Sequence, residues 1–195
     1  MDKTILESAA LLMRPLEPGD VDEIPALVEA PEIAANTFVP RPYTAEDALE
    51  FVQRARERWQ YDEAYVFAIV DKDLGRFVGC MGIHPAQAHD RADVGYWVGK
   101  PYWGRGVATG ALRLLIRFGF DVLELNRIEA GHFTHNPASG RVMLKANMRR
   151  EGLRRQYVLH RDQYKDVVWY AIVRDDYDNA RANSTGGTKE KTAED

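Results

Sequence analysis

A glycine-rich turn that opens into a helix is the stretch of this sequence best suited to chemistry. The turn reads Tyr-Trp-Gly-Arg-Gly-Val-Ala over residues 102–108. The first turn of a helix has backbone N–H groups without intrahelical partners, and the helix dipole is positive there. Gly104 and Gly106 lack the side chains that would keep an anion away, and Arg105 can add a charge-assisted contact. The stretch therefore predicts a binding site for a phosphate or pyrophosphate.

Two common phosphate-binding patterns fit this turn poorly. A P-loop requires Gly-Lys-Ser/Thr after its second glycine, and no lysine occupies that position. The dinucleotide fingerprint Gly-x-Gly-x-x-Gly fails because its third glycine, Gly110, comes one residue late. That fingerprint also belongs in an opening strand–helix–strand unit, whereas this turn follows a run of antiparallel-looking strands. A glycine-rich helix start without any ligand is the remaining alternative.

The elements next to the turn must hold it in place. Residues 94–98 predict a strand that leads into the turn. The helix that follows is amphipathic, because its apolar residues have the i, i+3, i+4, i+7 spacing of one buried stripe. These residues are Ala108, Ala111, Leu112 and Leu115. The local order is therefore strand, glycine turn, helix.

The rest of the chain predicts one αβ domain and a polar tail. The predicted strands cover residues 11–16, 64–70, 76–83, 92–98, 127–134, 150–160 and 165–173, and Pro15 suggests that the first of them lies at a sheet edge. The predicted helices cover about 21–30, a segment capped by Thr44 and Asp47, the segment after the glycine turn, and a short segment capped by Asn136. From Asp178 the residues are small, polar and charged, so we predict a folded domain over 1–177 and a disordered tail over 178–195.

The composition excludes several classes of protein. The 195 residues are enough for one domain with a substantial core, and 45% hydrophobic and 29% charged residues are ordinary for a soluble globular protein. A net charge of −4 argues against nucleic acid binding. Cys80 is the single cysteine, which excludes an intramolecular disulfide and suits a reducing cytosol. No signal peptide or apolar membrane span is expected, so we predict a cytoplasmic protein.

Residues 103–108 resemble the acetyl-CoA-binding motif of the GNAT N-acetyltransferases, Gln/Arg-x-x-Gly-x-Gly/Ala. Trp103 replaces Gln/Arg at the first position, as in the RimJ/RimL branch, which acetylates protein N-termini and often has Tyr-Trp-Gly-x-Gly. Three more stretches are similar to that branch: residues 93–97, residues 126–129, and Asn136-x-x-Ser139 followed by residues 150–152. The resemblance extends from residue 11 to about 177. It implies the GNAT fold, an α/β (α+β) fold with a mixed, mostly antiparallel twisted sheet of about seven strands and about four helices.

The resemblance implies an acetyl-CoA-dependent N-acetyltransferase with acetyl-CoA as cosubstrate and no metal. The favoured acceptor is the α-amine of a protein or peptide N-terminus. One alternative is an enzyme for small amines, such as polyamines, aminoglycosides or amino-acid analogues. The other is a non-catalytic regulator that binds acyl-CoA. No nucleic acid or membrane partner is expected, and a homodimer is left open.

The resemblance also assigns cofactor contacts. Tyr96, Trp97 and Val98 would line the pantetheine arm, and a backbone N–H near Val98 would polarise the thioester carbonyl. Asn136 would cap its helix and touch pantetheine. The pyrophosphate would lie on the turn and the start of the helix, at Gly104, Arg105, Gly106, Val107, Ala108 and Thr109.

Acetyl transfer requires a base for the amine and an acid for the thiolate that leaves. Ser139 is the candidate acid, and its alternative role is that of a solvated or helix-capping hydroxyl. Asp93 is the candidate base, acting through water, with a solvated carboxylate at a strand end as the alternative. His84 is a second candidate base because an imidazole titrates near neutral pH. A structural role is its alternative.

Aromatic residues predict the acceptor pocket. One wall would be Phe38, Val39, Pro40 and Tyr43, the other would be Tyr157, His160 and Tyr164, and Trp59 and Tyr61 are further candidates that could equally belong to the core. Few carboxylates are expected there: Asp162, Glu46 and Asp47. His132 and His135 are separated by an odd spacing on a predicted strand, which would place them on opposite faces, so they do not predict a metal site.

Overall fold

The computed structural model describes residues 4–186, which form one eight-stranded sheet with helices on both faces. The strands are β1 (Leu6–Glu7), β2 (Leu11–Pro15), β3 (Tyr65–Asp71), β4 (Arg76–Ala86), β5 (Arg91–Val98), β6 (Arg127–Phe133), β7 (Arg149–His160) and β8 (Gln163–Val173). The helices are α1 (Ile24–Val28), α2 (Pro31–Asn36), α3 (Ala45–Gln60), α4 (Val107–Asp121), α5 (Pro137–Lys145) and α6 (Arg174–Gly186). The mixed, mostly antiparallel sheet agrees with the predicted fold class.

The sheet contains one parallel pair of neighbouring strands. The strand order is β1-β2-β3-β4-β5-β6-β8-β7, and every neighbouring pair except β5–β6 is antiparallel. Parallel pairing requires a long crossover, which α4 supplies. The β5–β6 pairing runs from Arg91–Arg127 to Asp93–Glu129 and then stops. Beyond that point the two strands separate and leave a gap in the middle of the sheet.

Two hydrophobic clusters cover the two faces of the sheet. Helix α4 packs on one face, where Leu112 and Leu115 are fully buried against β4 residues such as Met81 and Ile83. Helices α1 and α3 pack on the other face, on residues such as Cys80. Because the central strands are buried on both sides, β3 and β4 are almost continuously apolar. The gap between β5 and β6 connects the two faces.

Local hydrogen bonds confirm two predicted helix starts. Asp47 donates its backbone N–H to the Thr44 hydroxyl (3.2 Å), and its carboxylate accepts from the Thr44 backbone N–H (2.8 Å). The Asn136 side chain accepts from the Ser139 backbone N–H (3.4 Å) at the start of α5. Both caps join residues only three positions apart, which is why the sequence predicts them well.

The helix predicted over residues 21–30 is shorter in the structure, where α1 covers only Ile24–Val28. The segment instead has a 3-10 turn at Pro18–Asp20, then α1, then α2. The cause is Asp20, whose carboxylate accepts two hydrogen bonds from Arg14 (2.8 and 2.7 Å) and one from the Glu17 backbone N–H (2.7 Å). Asp20 therefore closes the turn that begins at Glu17 and does not cap a helix that begins after it.

The sheet edge also differs from its prediction. Strand β2 is not the edge, because the two-residue strand β1 pairs outside it. This short strand brings the total to eight strands, where about seven were predicted. Two residues carry too little hydrophobic pattern to predict a strand from sequence.

Helix α6 continues through residues 178–186, the first part of the segment predicted to be a disordered tail. Tyr177 stacks on Phe120 with 4.7 Å between ring centres, and its hydroxyl donates to Asp121 (3.1 Å). Arg181 forms an ion pair with the same aspartate (2.9 Å). These contacts at the end of α4 hold a helix whose own sequence is polar. Residues 187–195 of the predicted tail lie outside the described residues.

No helix within residues 4–186 is long and apolar enough to span a membrane.

Candidate active site

The gap between β5 and β6 belongs to a cavity of about 860 Å³. Its inner part is bordered by Tyr96 on β5 and by Asn136 and Ser139 at the start of α5. Its outer part is bordered by the loop between α2 and α3 and by β7. The cavity therefore extends from the gap between β5 and β6 to the α2–α3 loop and β7. Such a cavity can bring two substrates together from two sides.

Ser139 and Tyr96 bring two hydroxyl groups to the inner part of the cavity. The Ser139 Oγ accepts a hydrogen bond from the Asn136 side-chain amide (3.1 Å), so its own hydrogen remains free to donate. The Tyr96 hydroxyl donates to the Ser139 backbone carbonyl (3.5 Å). Burial raises the pKa of Tyr96 to about 12, so its hydroxyl stays protonated near neutral pH. The structure thus places the predicted acid beside two of the predicted pantetheine contacts.

Of the other two residues predicted on β5, Trp97 points to the opposite face of the sheet from Tyr96, and Val98 points to the same face. Trp97 faces the side of the sheet covered by α1 and α3, where its ring packs edge-on against Phe77 (5.9 Å), whereas Tyr96 faces α4 and α5. Val98 is buried. Because side chains alternate along a strand, Trp97 can border the side of the gap that Tyr96 faces only through its backbone.

Asp93 lies at the last β5–β6 pair before the gap. It is the register partner of Glu129 on β6 and of His84 on β4. Among the side chains that the structure describes, those of residues 4–86 and 88–183, none donates a hydrogen bond to its carboxylate. Burial and then the charge of Glu129 raise the pKa of Asp93 above its usual range. Burial and then the charge of Arg58 lower the pKa of His84, which favours the neutral imidazole.

Glu129 is a buried carboxylate. The sequence points to it only as part of residues 126–129, one of the stretches that resemble a known family. Burial tends to raise its pKa, but hydrogen bonds from Trp169 and Arg127 and one from Arg91 outweigh burial and lower it. The Trp169 Nε1 donates to Glu129 Oε2 at 3.0 Å. Three strands, β5, β6 and β8, are thereby tied together where the gap begins. A charged residue between apolar Ile128 and Ala130 is the signal that could have identified it.

The glycine turn leaves the start of α4 accessible. Gly104 and Gly106 have φ values of 76° and 83°, and a Cβ built on either residue would have no atom within 4 Å. Gly106 is the N-cap and provides no side-chain cap. The Trp103 indole N–H donates to the Val98 carbonyl (2.6 Å) and fixes the turn to the end of β5. A second cavity of about 400 Å³ borders Arg105 and Gly106.

The remaining predicted turn residues contribute mainly backbone. Val107 is buried, Ala108 packs against the core and Thr109 is half-buried. Their N–H groups form the first turn of α4, so the fit to a pyrophosphate depends on backbone donors and on the Arg105 guanidinium.

The outer part of the cavity contains most of the predicted acceptor residues. Phe38, Val39, Pro40, Tyr43 and Tyr157 border it. His160 instead lies beneath Phe38 (5.6 Å between ring centres) and its Nε2 contacts the Thr37 carbonyl (2.9 Å).

Three other aromatic candidates lie outside the cavity lining. Trp59 packs in the core against Phe67 (4.8 Å between ring centres), while Tyr61 and Tyr164 are exposed.

The charges around the cavity balance. The lining carboxylates are Asp47, Glu50 and Asp93, and the lining guanidinium groups are Arg54, Arg91 and Arg154. Asp162 and Glu46, which the sequence also suggested, are not among the lining residues. The lining therefore has no excess of negative charge that would favour a polycation.

The two histidines considered as a metal pair each contact a backbone carbonyl. His132 is buried on β6, and its Nδ1 contacts the Phe133 carbonyl (2.8 Å). His135 lies beyond the end of β6, and its Nε2 contacts the Ala35 carbonyl (3.2 Å). Within residues 4–186, no three His, Cys, Asp or Glu side chains form a group suited to a metal ion.

Comparison with known proteins gives a consistent picture. Residues 10–149 match the family model described as acetyltransferase (GNAT) domain. The chain is 30% identical over 171 residues to the uncharacterized N-acetyltransferase YoaA of Bacillus subtilis, covering 87% of this chain and 97% of that protein. It is 26% identical over 120 residues to the [ribosomal protein uS5]-alanine N-acetyltransferase of Escherichia coli, covering 60% of this chain and 62% of that protein.

Solved structures share the fold at lower sequence identity. The ribosomal L7/L12 alpha-N-protein acetyltransferase RimL in complex with coenzyme A is 21% identical, with a TM-score of 0.81, covering 89% of this chain and 99% of that one. The microcin C7 self-immunity acetyltransferase MccE in complex with acetyl-CoA and AMP is 19% identical, with a TM-score of 0.78, covering 85% and 93%. At these identities the likeness concerns the fold.

Proposed function

The chain belongs to the GNAT acetyltransferase family and is an acetyl-CoA-dependent N-acetyltransferase, and we propose that its acceptor is the α-amine of a protein or peptide N-terminus. The outer cavity carries this proposal. Its lining is aromatic and charge-balanced, and it includes Phe38 and Tyr157, which are 68% and 51% exposed and therefore mark a mouth open to solvent. A peptide end can enter such a mouth while the rest of the chain remains in solvent. The relatives named as ribosomal-protein N-acetyltransferases support the same class of acceptor.

The residues around the gap and the glycine turn fit acetyl-CoA. The backbone N–H groups from Gly106 to Ala108, with Arg105, would hold the pyrophosphate. The backbone of Tyr96 to Val98 and the Asn136 side chain would line the pantetheine arm. When bound, acetyl-CoA supplies an activated acetyl thioester. The chain's own residues orient the two substrates and transfer protons.

Asp93 and Ser139 have the chemistry that the proton transfers require. Asp93 would accept the proton of the amine through a water molecule, since its carboxylate has no hydrogen-bond donor among the described side chains and its pKa is raised. Ser139 would donate its hydroxyl proton to the departing thiolate from the inner part of the cavity, where Asn136 orients its oxygen. His84, neutral beside Asp93, is the alternative base.

We expect the pH dependence of kcat/KM to report on Asp93. The acceptor α-amine must be neutral to react. This requirement alone makes log kcat/KM fall with a slope of one as the pH drops below the pKa of the amine, about 8. A carboxylate base with a raised pKa adds a second descending limb, so the slope of log kcat/KM should steepen from one to two at lower pH. Asp93→Asn should remove the second limb and lower kcat/KM at neutral pH.

The matched variant is His84→Gln, on the neighbouring strand. If His84→Gln removes the second limb and Asp93→Asn does not, the histidine is the base. An unchanged profile and rate in Asp93→Asn would exclude Asp93 from proton transfer.

The acceptor class is tested by three substrates. We expect turnover of a short lysine-free peptide with a free N-terminal alanine, no turnover of the same peptide blocked at its N-terminus, and weak turnover of spermidine, because the balanced lining offers no polyanionic site. Release of CoA gives kcat/KM for each substrate. A clear preference for spermidine would indicate a small-amine enzyme. Absence of turnover with every amine, despite binding of acetyl-CoA, would indicate a non-catalytic regulator that binds acyl-CoA.

A further inference from the structure

Arg154 differs from the other arginines around the cavity in its partners. Arg91 forms an ion pair with buried Glu129, and Arg54 pairs with a glutamate one turn earlier on α3. Arg154 also lines the cavity, but no carboxylate within residues 4–186 is within ion-pair distance of its guanidinium. Its Nη1 donates to the Tyr157 hydroxyl (3.0 Å). Its remaining N–H groups can therefore bind a ligand in the cavity.

The Arg154 guanidinium is held in place before any ligand arrives. It lies 3.8 Å from the centre of the Trp169 ring and 4.9 Å from the centre of the Tyr157 ring. The Trp169 indole is itself fixed by its hydrogen bond to buried Glu129 (3.0 Å). A guanidinium stacked in this way loses little conformational entropy when it binds a ligand.

A bulge in β7 directs the side chains of Arg154 and Tyr157 toward each other. Side chains three positions apart on a regular strand point to opposite faces. The β7–β8 register shifts between Arg154 and Val158, and Gln156 has a φ of 48°. The Gln156 backbone N–H donates to Asp166 Oδ1 (2.8 Å), which holds the bulge. Bulges beside active sites commonly reorient a side chain in this manner.

We propose that Arg154 forms a carboxylate-binding subsite in the outer cavity, so that preferred acceptors carry a carboxylate near the reacting amine. A planar guanidinium with free N–H groups binds a carboxylate in a defined orientation. For a peptide acceptor, which rests on the proposed function, the carboxylate belongs to an aspartate or glutamate that follows the N-terminal residue. For a small acceptor it would be the α-carboxylate of an amino acid.

Matched acceptor pairs test this subsite. The peptide pair begins Ala-Asp and Ala-Asn, is otherwise identical, lacks lysine and is amidated at its C-terminus. The small pair is alanine and alaninamide. For the wild-type enzyme we expect kcat/KM to be about tenfold higher or more for the Ala-Asp peptide, the ratio expected for a charge-assisted hydrogen bond. Arg154→Gln should bring the ratio close to one, and Arg154→Lys, which keeps the charge without the planar fork, should retain part of it.

The control variant is Arg155→Gln, since Arg155 is exposed, lies on the same strand and is not among the cavity-lining residues. It should keep the wild-type ratio. A wild-type ratio near one for both acceptor pairs, or a ratio that Arg154→Gln leaves unchanged, overturns the subsite.

The two acceptor pairs separate this inference from the proposed function. Equal turnover of both peptides, together with no preference for alanine over alaninamide, would leave the peptide function standing and reject the subsite. Preference for alanine over alaninamide, without turnover of either peptide, would support the subsite and reject the peptide function.

Discussion

Replacing Gly106 with glutamate is expected to lower the affinity for acetyl-CoA by about 100-fold or more, because a backbone strain of about 1–2 kcal/mol adds to a negative charge at the pyrophosphate site. Gly106 has a φ of 83° and opens α4 without a side-chain cap. A side chain at this residue would project from the start of the helix into open space. The carboxylate would then repel the pyrophosphate from the N–H groups that attract it. Titration calorimetry with CoA measures the loss.

Two neutral substitutions separate charge from backbone strain. Gly106→Asn carries no charge and tolerates a left-handed backbone, so it should lose the least affinity. Gly106→Ala adds strain alone and should lie between the asparagine and glutamate variants. Wild-type affinity in Gly106→Glu would mean that CoA does not bind at the start of α4.

Ser139→Ala is expected to lower kcat by roughly 100-fold with little change in CoA affinity, the effect of removing a general acid. The Ser139 hydroxyl accepts from Asn136 (3.1 Å) and so has its own hydrogen to donate. Alanine retains the backbone N–H that the Asn136 side chain caps, so α5 should keep its start. Steady-state kinetics with a saturating acceptor, together with calorimetry, separates chemistry from binding.

Tyr96→Phe is the matched variant for Ser139→Ala. It removes the second hydroxyl of the inner cavity and only one long hydrogen bond, to the Ser139 carbonyl. We expect a smaller effect on kcat than in Ser139→Ala. The reverse order would make Tyr96 the acid, and a kcat within a few-fold of wild type in both variants would leave protonation of the thiolate to water.

Features that depend on residues close together in the chain could be predicted from the sequence. The Thr44–Asp47 box and the Asn136 cap each join residues three positions apart, and the amphipathic helix after the glycine turn repeats its pattern within four turns. The strand, turn and helix at 91–121 follow from such local patterns. They predicted an anion site, and the likeness of the same residues to a known family predicted its ligand.

Where local patterns failed, a contact made elsewhere had changed the outcome. Asp20 has the sequence features of a helix cap, but Arg14 on β2 binds its carboxylate and the helix begins later. The polar residues after Asp178 would not form a stable helix alone. Tyr177 stacks on Phe120 and so anchors these residues to α4. Phe120 is too far away in the sequence for a local pattern to reveal this contact.

Only the tertiary structure decided how the candidate site is assembled. Asp93 lies between His84 and Glu129 because β4, β5 and β6 are neighbours in the sheet. Arg154 stacks on Trp169 because a bulge reorients it, and the bulge depends on a hydrogen bond across the β7–β8 hairpin. The sequence by itself determined which residues could do chemistry and the short elements that carry them. Strand pairing decided which of them meet, because the free energy of those contacts comes from residues far apart in the chain.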